Sequence, residues 1–161
     1  MQIRKSNDDD LESIFIIQSK NPQAAQWARS DYANLARDPL GLILVAELDA
    51  TIPPAVAGFA AFHHVMDEAE IRNMAVDPAH QRQGVGRQLL VEARRQLLEQ
   101  GVRRVFLEVR ASNLAGQQLY YSAGFGPFSR RRDYYSNPRE DGLVLSLELS
   151  PPLEVPSTPG G

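Results

Sequence analysis

Gln81-Arg82-Gln83-Gly84-Val85-Gly86-Arg87 is the stretch that decides how this chain folds. A short apolar run, Met74-Ala75-Val76, precedes it, and Asp77-Pro78 closes that run with a turn signal. Beyond the glycines, Val85, Leu89, Leu90, Ala93, Leu97 and Leu98 recur with a helical period on one face. The unit therefore reads strand, basic glycine turn, helix. With no Cβ at Gly84 and Gly86, the backbone can turn tightly and a ligand can come close. The first N–H groups of the helix lack intrahelical acceptors, and the helix dipole adds partial positive charge there. Such an end binds phosphate, and Arg82 and Arg87 add full charges beside it. The turn lacks the Lys-Ser/Thr pair of a P-loop, and Leu89 stands where a dinucleotide fingerprint needs its third glycine. Taken alone it supports two readings equally: a phosphate site, or a helix that starts with glycines and solvated arginines.

The 161 residues suit one domain, and 43% hydrophobic content is enough for a sizeable core. A net charge of −3 argues against a generally basic nucleic-acid binder. With no cysteine, disulfides, thiolate metal sites and a cysteine nucleophile are excluded. Three histidines, at 63, 64 and 80, are poor material for a metal centre, and none is expected. No apolar signal core follows Met1-Gln2-Ile3-Arg4, and no run approaches the ~18 apolar residues of a membrane helix. A soluble, cytoplasmic protein without membrane contact is the default expectation.

Outward from the turn, the pattern predicts strands over Gln2–Lys5, Leu42–Leu48, Ala55–His64, Ala69–Val76, Val102–Val109, Phe128–Tyr135 and Leu143–Leu149. Ser6 or Asn7 can cap a first helix, whose positive end suits Asp8, Asp9 and Asp10. Asn21-Pro22 stops that helix. A second helix is expected over Gln23–Ala36 with Trp27 and Leu35 as anchors. Gly101 is a good residue to follow the long helix, and Ser112 or Asn113 caps a short one reaching Tyr121. The order β-α-α-β-β-β-α-β-α-β-β describes a mixed sheet with helices on its faces, an α/β or α+β domain over residues 1–149. Three consecutive strands without an intervening helix exclude a doubly wound sheet. Residues 150–161, rich in proline and glycine, read as a disordered tail.

Ala69–Leu90, with its Gln-x-x-Gly-x-Gly core, resembles the acetyl-CoA signature of the GNAT N-acetyltransferases. Leu107-Glu108-Val109-Arg110-Ala111-Ser112-Asn113, then Leu119-Tyr120 and Gly124-Phe125, resemble more narrowly the RimI-like ribosomal-protein alanine N-acetyltransferases. Arg130–Tyr135 and Arg139-Glu140-Asp141-Gly142 fit the same branch. The resemblance implies a GNAT-like fold whose central strands splay, and acetyl transfer from acetyl-CoA to an amine by direct attack in a ternary complex. It also implies the cofactor site. The backbone of Met74, Ala75 and Val76 would run along the pantetheine and acetyl group. Arg82, Gln83, Gly84, Val85, Gly86 and Arg87 would hold the diphosphate. Asn113 would contact the cofactor beyond the strand. Glu108 matches the family's base and Tyr120 its acid.

From pattern alone, Glu108 reads first as a partner for Arg110 or Arg103 or as an exposed sheet end, and Tyr120 as an inward-facing aromatic. Glu70, on the strand facing the splay, is a reserve base. Tyr134 and Tyr135 match a family pair near the peptide groove. An α-amine titrating at roughly 7.7–8.0 is partly neutral near pH 7, unlike a lysine at about 10.4, so a lone carboxylate serves it more readily. A protein N-terminal amine, as in a ribosomal protein, is therefore the expected acceptor. A small amine or amino acid is the alternative, and a non-catalytic acyl-CoA sensor is the alternative of another class. The oligomeric state is left at monomer or homodimer. Three places depart from the family pattern: Asn21–Trp27 lacks its Phe and Pro-Trp-Ser, Asp133 replaces a usual Asn, and Gly116 and Tyr121 replace Ala and Glu.

Overall fold

The computed structural model describes residues 1–49 and 51–149, and the stretch 150–161, expected to be a disordered tail, lies outside the described residues. The strands are β1 (Gln2–Lys5), β2 (Gly41–Leu48), β3 (Ala55–Val65), β4 (Glu68–Val76), β5 (Arg104–Arg110), β6 (Gly126–Tyr135) and β7 (Glu140–Glu148). The helices are α1 (Leu11–Ser19), α2 (Arg29–Arg37), α3 (Val85–Glu99) and α4 (Leu114–Ser122). The element order is the expected one. Asn7, rather than Ser6, opens the first helical segment: the Asp9 N–H donates to its side chain at 3.0 Å, and its own N–H donates to Asp10 at 2.7 Å.

The second helix departs from expectation. It starts at Arg29, not Gln23. The Ala28 N–H donates to Asp31 at 2.8 Å, which sets the helix start there. The residues before it are held by tertiary bonds that compete with a helical turn. The Ala25 N–H donates to Asn73 Oδ1 at 3.1 Å, and Gln18 Nε2 donates to the Trp27 carbonyl at 2.9 Å. Trp27 still anchors the region from its loop, its ring 5.0 Å from that of Tyr32.

The seven strands form one sheet in the order β1-β2-β3-β4-β5-β7-β6. Every pairing is antiparallel except β4 with β5. The crossover between those two strands runs through α3, as a parallel connection requires. α3 packs one face of the sheet with Val85, Leu89, Leu90, Ala93 and Leu97 buried, while Leu98 stays partly exposed. Each fully buried leucine contributes roughly 1.5–3 kcal/mol. α1 and α2 cover the other face over β2, β3 and the end of β4, burying Ile14, Ile17, Tyr32 and Leu35. No helix among the described residues is long and apolar enough to cross a membrane.

Two irregularities open the sheet. β4 pairs with β5 only from Glu68–Arg104 to Ile71–Leu107. Beyond that, β4 continues to Val76 and β5 to Arg110 with no pairing between them. Against β3, Phe62 opposes Ile71 and Ala61 opposes Asn73, so Arg72 is an extra, bulged residue. The bulge reverses which way the later side chains point. Ile71 packs under α3, whereas Asn73, two residues on, faces α1 and α2. The strands therefore splay where β4 changes its facing.

Candidate active site

The donor side of the opening is built from β4 and the mouth of α3. Asp77 donates its N–H to the Ala57 carbonyl at 2.8 Å. Hydrogen bonding alternates along an antiparallel ladder, so Asn73 and Ala75 bond toward β3, and Met74 and Val76 turn their N–H and C=O toward the opening. In keeping with this, the Val76 carbonyl accepts from Asn21 Nδ2 at 3.1 Å and Gln81 Nε2 at 3.2 Å. The Met74 N–H donates to Asn73 Oδ1 at 3.1 Å and is thereby engaged. Of the three main-chain units expected beside a cofactor, Met74 and Val76 face the gap and Ala75 faces the sheet.

The two glycines of the turn have different reasons to be glycine. Gly84 caps α3 in the left-handed region, φ 81°, and a Cβ there would meet nothing within 4 Å. Its requirement is conformational, and the space above it is open. Gly86 is buried, and a Cβ there would come within 2.9 Å of Leu119 Cδ2 and 3.2 Å of Met74 Cε. Its requirement is close packing of α3 on α4 and β4. No side chain caps the first turn of α3, and Arg82, Gln83 and Arg87 are exposed around it while Val85 is buried. An open mouth with uncapped amides and nearby guanidinium groups fits a diphosphate. Asn113 caps α4, accepting from the Gly116 N–H at 2.9 Å, so its oxygen is already engaged.

The other side of the opening is a groove of about 570 Å³ over β4, β5 and β6, on the face opposite α3. Glu108 sits in it with a quarter of its side chain exposed, Oε1 3.3 Å from Arg131 Nε. Its cation is thus Arg131 of β6. Arg110, which the pattern offered as its partner, pairs with Glu140 at 3.5 Å. A hydrogen bond to Glu108, and then burial, raise the Tyr134 phenol above its ordinary value. Burial pushes Tyr135 up to about 12, with the Glu108 charge adding to it. Tyr120 is also pushed up to about 12, by burial first and by its neighbour Tyr135 second. Glu108, Arg131, Tyr134 and Tyr135 thus form one cluster, Arg131 lying over the Tyr134 ring and the two tyrosine rings 5.0 Å apart, while Tyr120 packs against the core on Phe125. Glu70 lies in the same groove, half-exposed and 4.0 Å from Arg72. Asp133 has φ 51°, a left-handed conformation that Asp and Asn tolerate best, and it pairs with Arg139 at 3.0 Å.

Asn73, Gln18 and Tyr32 were not singled out by the sequence. Asn73 Nδ2 donates to the Tyr32 hydroxyl at 2.7 Å and to the Ala25 carbonyl at 2.9 Å, and the Tyr32 hydroxyl bonds Gln18 Oε1. This buried network ties the 21–28 loop to β4 just past the bulge. A polar residue at the buried phase of a strand, Asn73 between Ile71 and Ala75, was the available signal. Among the histidines, His63 lies 3.1 Å from Asp38, and His64 is buried.

A splayed mixed sheet, with an uncapped glycine-rich helix mouth on one side and an acid-base cluster on the other, is the arrangement of an acyl-CoA-dependent acyltransferase. The chain belongs to the GNAT acetyltransferase family, whose model matches residues 7–125. It is 43% identical over 144 residues to the ribosomal protein bS18 alanine N-acetyltransferase of Salmonella typhimurium, covering 88% of this chain and 93% of that one. It is 46% identical over 97 residues to the Escherichia coli enzyme of the same name, covering 59% of this chain and 66% of that enzyme, just under two thirds. The crystal structure of an Escherichia coli ribosomal-protein alanine N-acetyltransferase superposes with a TM-score of 0.80 at 34% identity, covering 96% of this chain and 97% of that one. GNAT acetyltransferases take their acetyl group from acetyl-CoA.

Proposed function

We propose that this chain acetylates the α-amino group of a protein N terminus. The observation that carries the reading is the groove. It is open at the surface and has Glu108 in its wall, so a polypeptide end can enter it without being enclosed. The relatives named for a ribosomal alanine N terminus point the same way. A ribosomal protein as the acceptor, and the cytoplasm as the place where the two meet, belong to this proposal.

Acetyl-CoA, when bound, supplies an activated carbonyl and a thiolate leaving group. The Val76 N–H and the Met74 carbonyl, the first-turn N–H groups of α3, and Arg82 and Arg87 are the groups that would hold it. Glu108 is the proton acceptor for the incoming ammonium, and an α-amine near 8 asks little of it. Tyr120 keeps its proton throughout the neutral range, because burial has raised it to about 12. Against a thiol near 8.5 in water that is an uphill donation. Tyr120 can therefore act as the acid only where the thiolate is equally desolvated beside it. No cysteine exists to form an acyl-enzyme, so attack is direct.

The test is release of free CoA thiol from acetyl-CoA with an N-terminal peptide, with a small amine, and with neither. Peptide-dependent release supports the reading. Release with the small amine alone shifts the acceptor class, and acetyl-CoA binding without any acceptor-dependent release marks a sensor.

A further inference from the structure

The groove holds side chains that the proposed chemistry does not use. Glu108 with Arg131, and Glu70 with Arg72, are its charged part. Phe106 from β5, Phe128 from β6, Val65 at the end of β3 and Met66 in the turn after it also line it, with Glu70 opposite Phe106 across the β4–β5 pairing and Asp67 and Glu68 beside the turn. Phe128 is 57% exposed, Val65 56% and Met66 87%. Scattered exposed apolar residues need no explanation, but four around one groove do.

Phe128 is also placed there by a device. Pro127 opposes Leu145 on β7 and Ser129 opposes Val144, so Phe128 is an extra residue in the ladder, a second bulge. A bulge re-aims the side chain it carries. Here it brings Phe128 onto Phe106, edge to face, with ring centroids 5.0 Å apart and planes at 74°. Phe106 and Glu108 lie on the same face of β5, two residues apart, which is about 6.7 Å along a strand.

We infer that Phe128 and Phe106 form a specificity subsite for a bulky apolar side chain on the acceptor polypeptide, two residues in from its reacting nitrogen. This rests on the reading that the acceptor nitrogen meets Glu108. An extended peptide starting there and running antiparallel to β5 brings its third residue level with Phe106, on the same side as its first. A ring or branched chain at that position would cover the exposed face of Phe128. A glycine would leave it wet. Phe106 and Phe128 line the same groove as Glu108, so their occupant is the chain whose first residue reacts at Glu108.

Steady-state kinetics with acetyl-CoA and two hexapeptides, identical except for Phe or Gly at the third position, test this. The wild type should favour the Phe peptide by about tenfold or more in kcat/KM, chiefly through KM. Phe128→Ala should bring the two peptides within about twofold, and Phe128→Leu should keep most of the preference. Acetyl-CoA Kd should match the wild type in both variants, which also reports an intact fold. An undiminished Phe preference in Phe128→Ala overturns the subsite and leaves the acceptor class standing, as does a wild type indifferent to the third residue. Acetylation of a small amine with neither peptide accepted overturns the acceptor class and the subsite together.

Discussion

The mouth of α3 and the groove over β5 are assembled on opposite plans. The mouth comes from one continuous stretch, Met74 to Arg87, and its chemistry is mostly main-chain: uncapped amides, a left-handed glycine, a close-packed one. The groove draws Glu70, Glu108, Arg131 and Phe128 from three strands, and its chemistry is all side-chain. A binding site made of backbone tolerates most neighbouring side chains but not a changed φ. A site made of side chains depends on strand register and on the two bulges, at Arg72 and Phe128. The first kind suits a donor that is always the same molecule, and the second suits an acceptor that has to be chosen.

That contrast can be broken by substitutions that damage one side and spare the other. The largest effect should come from Glu108→Gln. Turnover is expected to fall about 10²–10⁴-fold, while acetyl-CoA Kd, measured by titration, stays within about twofold. The acidic limb of the pH–rate profile should vanish with it, and an unchanged profile would remove Glu108 as the base. Asn73→Ala should come next. It leaves the Ala25 N–H and carbonyl without their partner and the Tyr32 hydroxyl with Gln18 alone. A loss of about 2–3 kcal/mol in urea unfolding is expected. Peptide KM should rise more than acetyl-CoA Kd, because the 21–28 loop is what comes loose.

Gly84→Ala acts on the donor side alone. With φ at 81° and no neighbour within 4 Å of the new Cβ, its whole cost is backbone strain, about 1–2 kcal/mol. Acetyl-CoA Kd should rise and peptide KM should hold; the reverse pattern would mean that the mouth is not the donor site. The smallest effect concerns pH. Tyr120 and Tyr135 titrate near 12 in the fold and about 10 when unfolded. The folded state thus holds their protons more tightly, and their contribution is whole below pH ~10 and lost as pH rises toward 12. The decline should be less than about 1.4 kcal/mol per pH unit for each phenol. Tyr135→Phe should flatten it in urea midpoints measured from pH 9 to 12.

Much of the donor half could be read from residue order. Turn, glycines and helix period all fall within one window, so local rules suffice for them. The acceptor half could be read only in pieces. Glu108 was legible through its motif, but Arg131 as its counterion was not, because the two meet only through the β5-β7-β6 order. The misplaced start of α2 has the same root. Helical propensity over Gln23–Ala28 is overridden by bonds to Asn73 and Gln18, 48 and 9 residues away from their loop partners Ala25 and Trp27. Phe128 read as an ordinary strand residue, since nothing local marks a bulge set by the partner strand.

The order of elements, the glycine-opened helix and the motif carboxylate Glu108 on β5 were all determined by the sequence, because each depends on contacts a few residues long. The reversal of β4 at Arg72, the turning of the Met74 and Val76 main chain toward the opening, the Glu108–Arg131 pair and the Phe106–Phe128 stack were decided only by tertiary structure. Each depends on which strand lies beside which and in what register, and a pairing with side-chain period two changes face whenever either strand gains a residue.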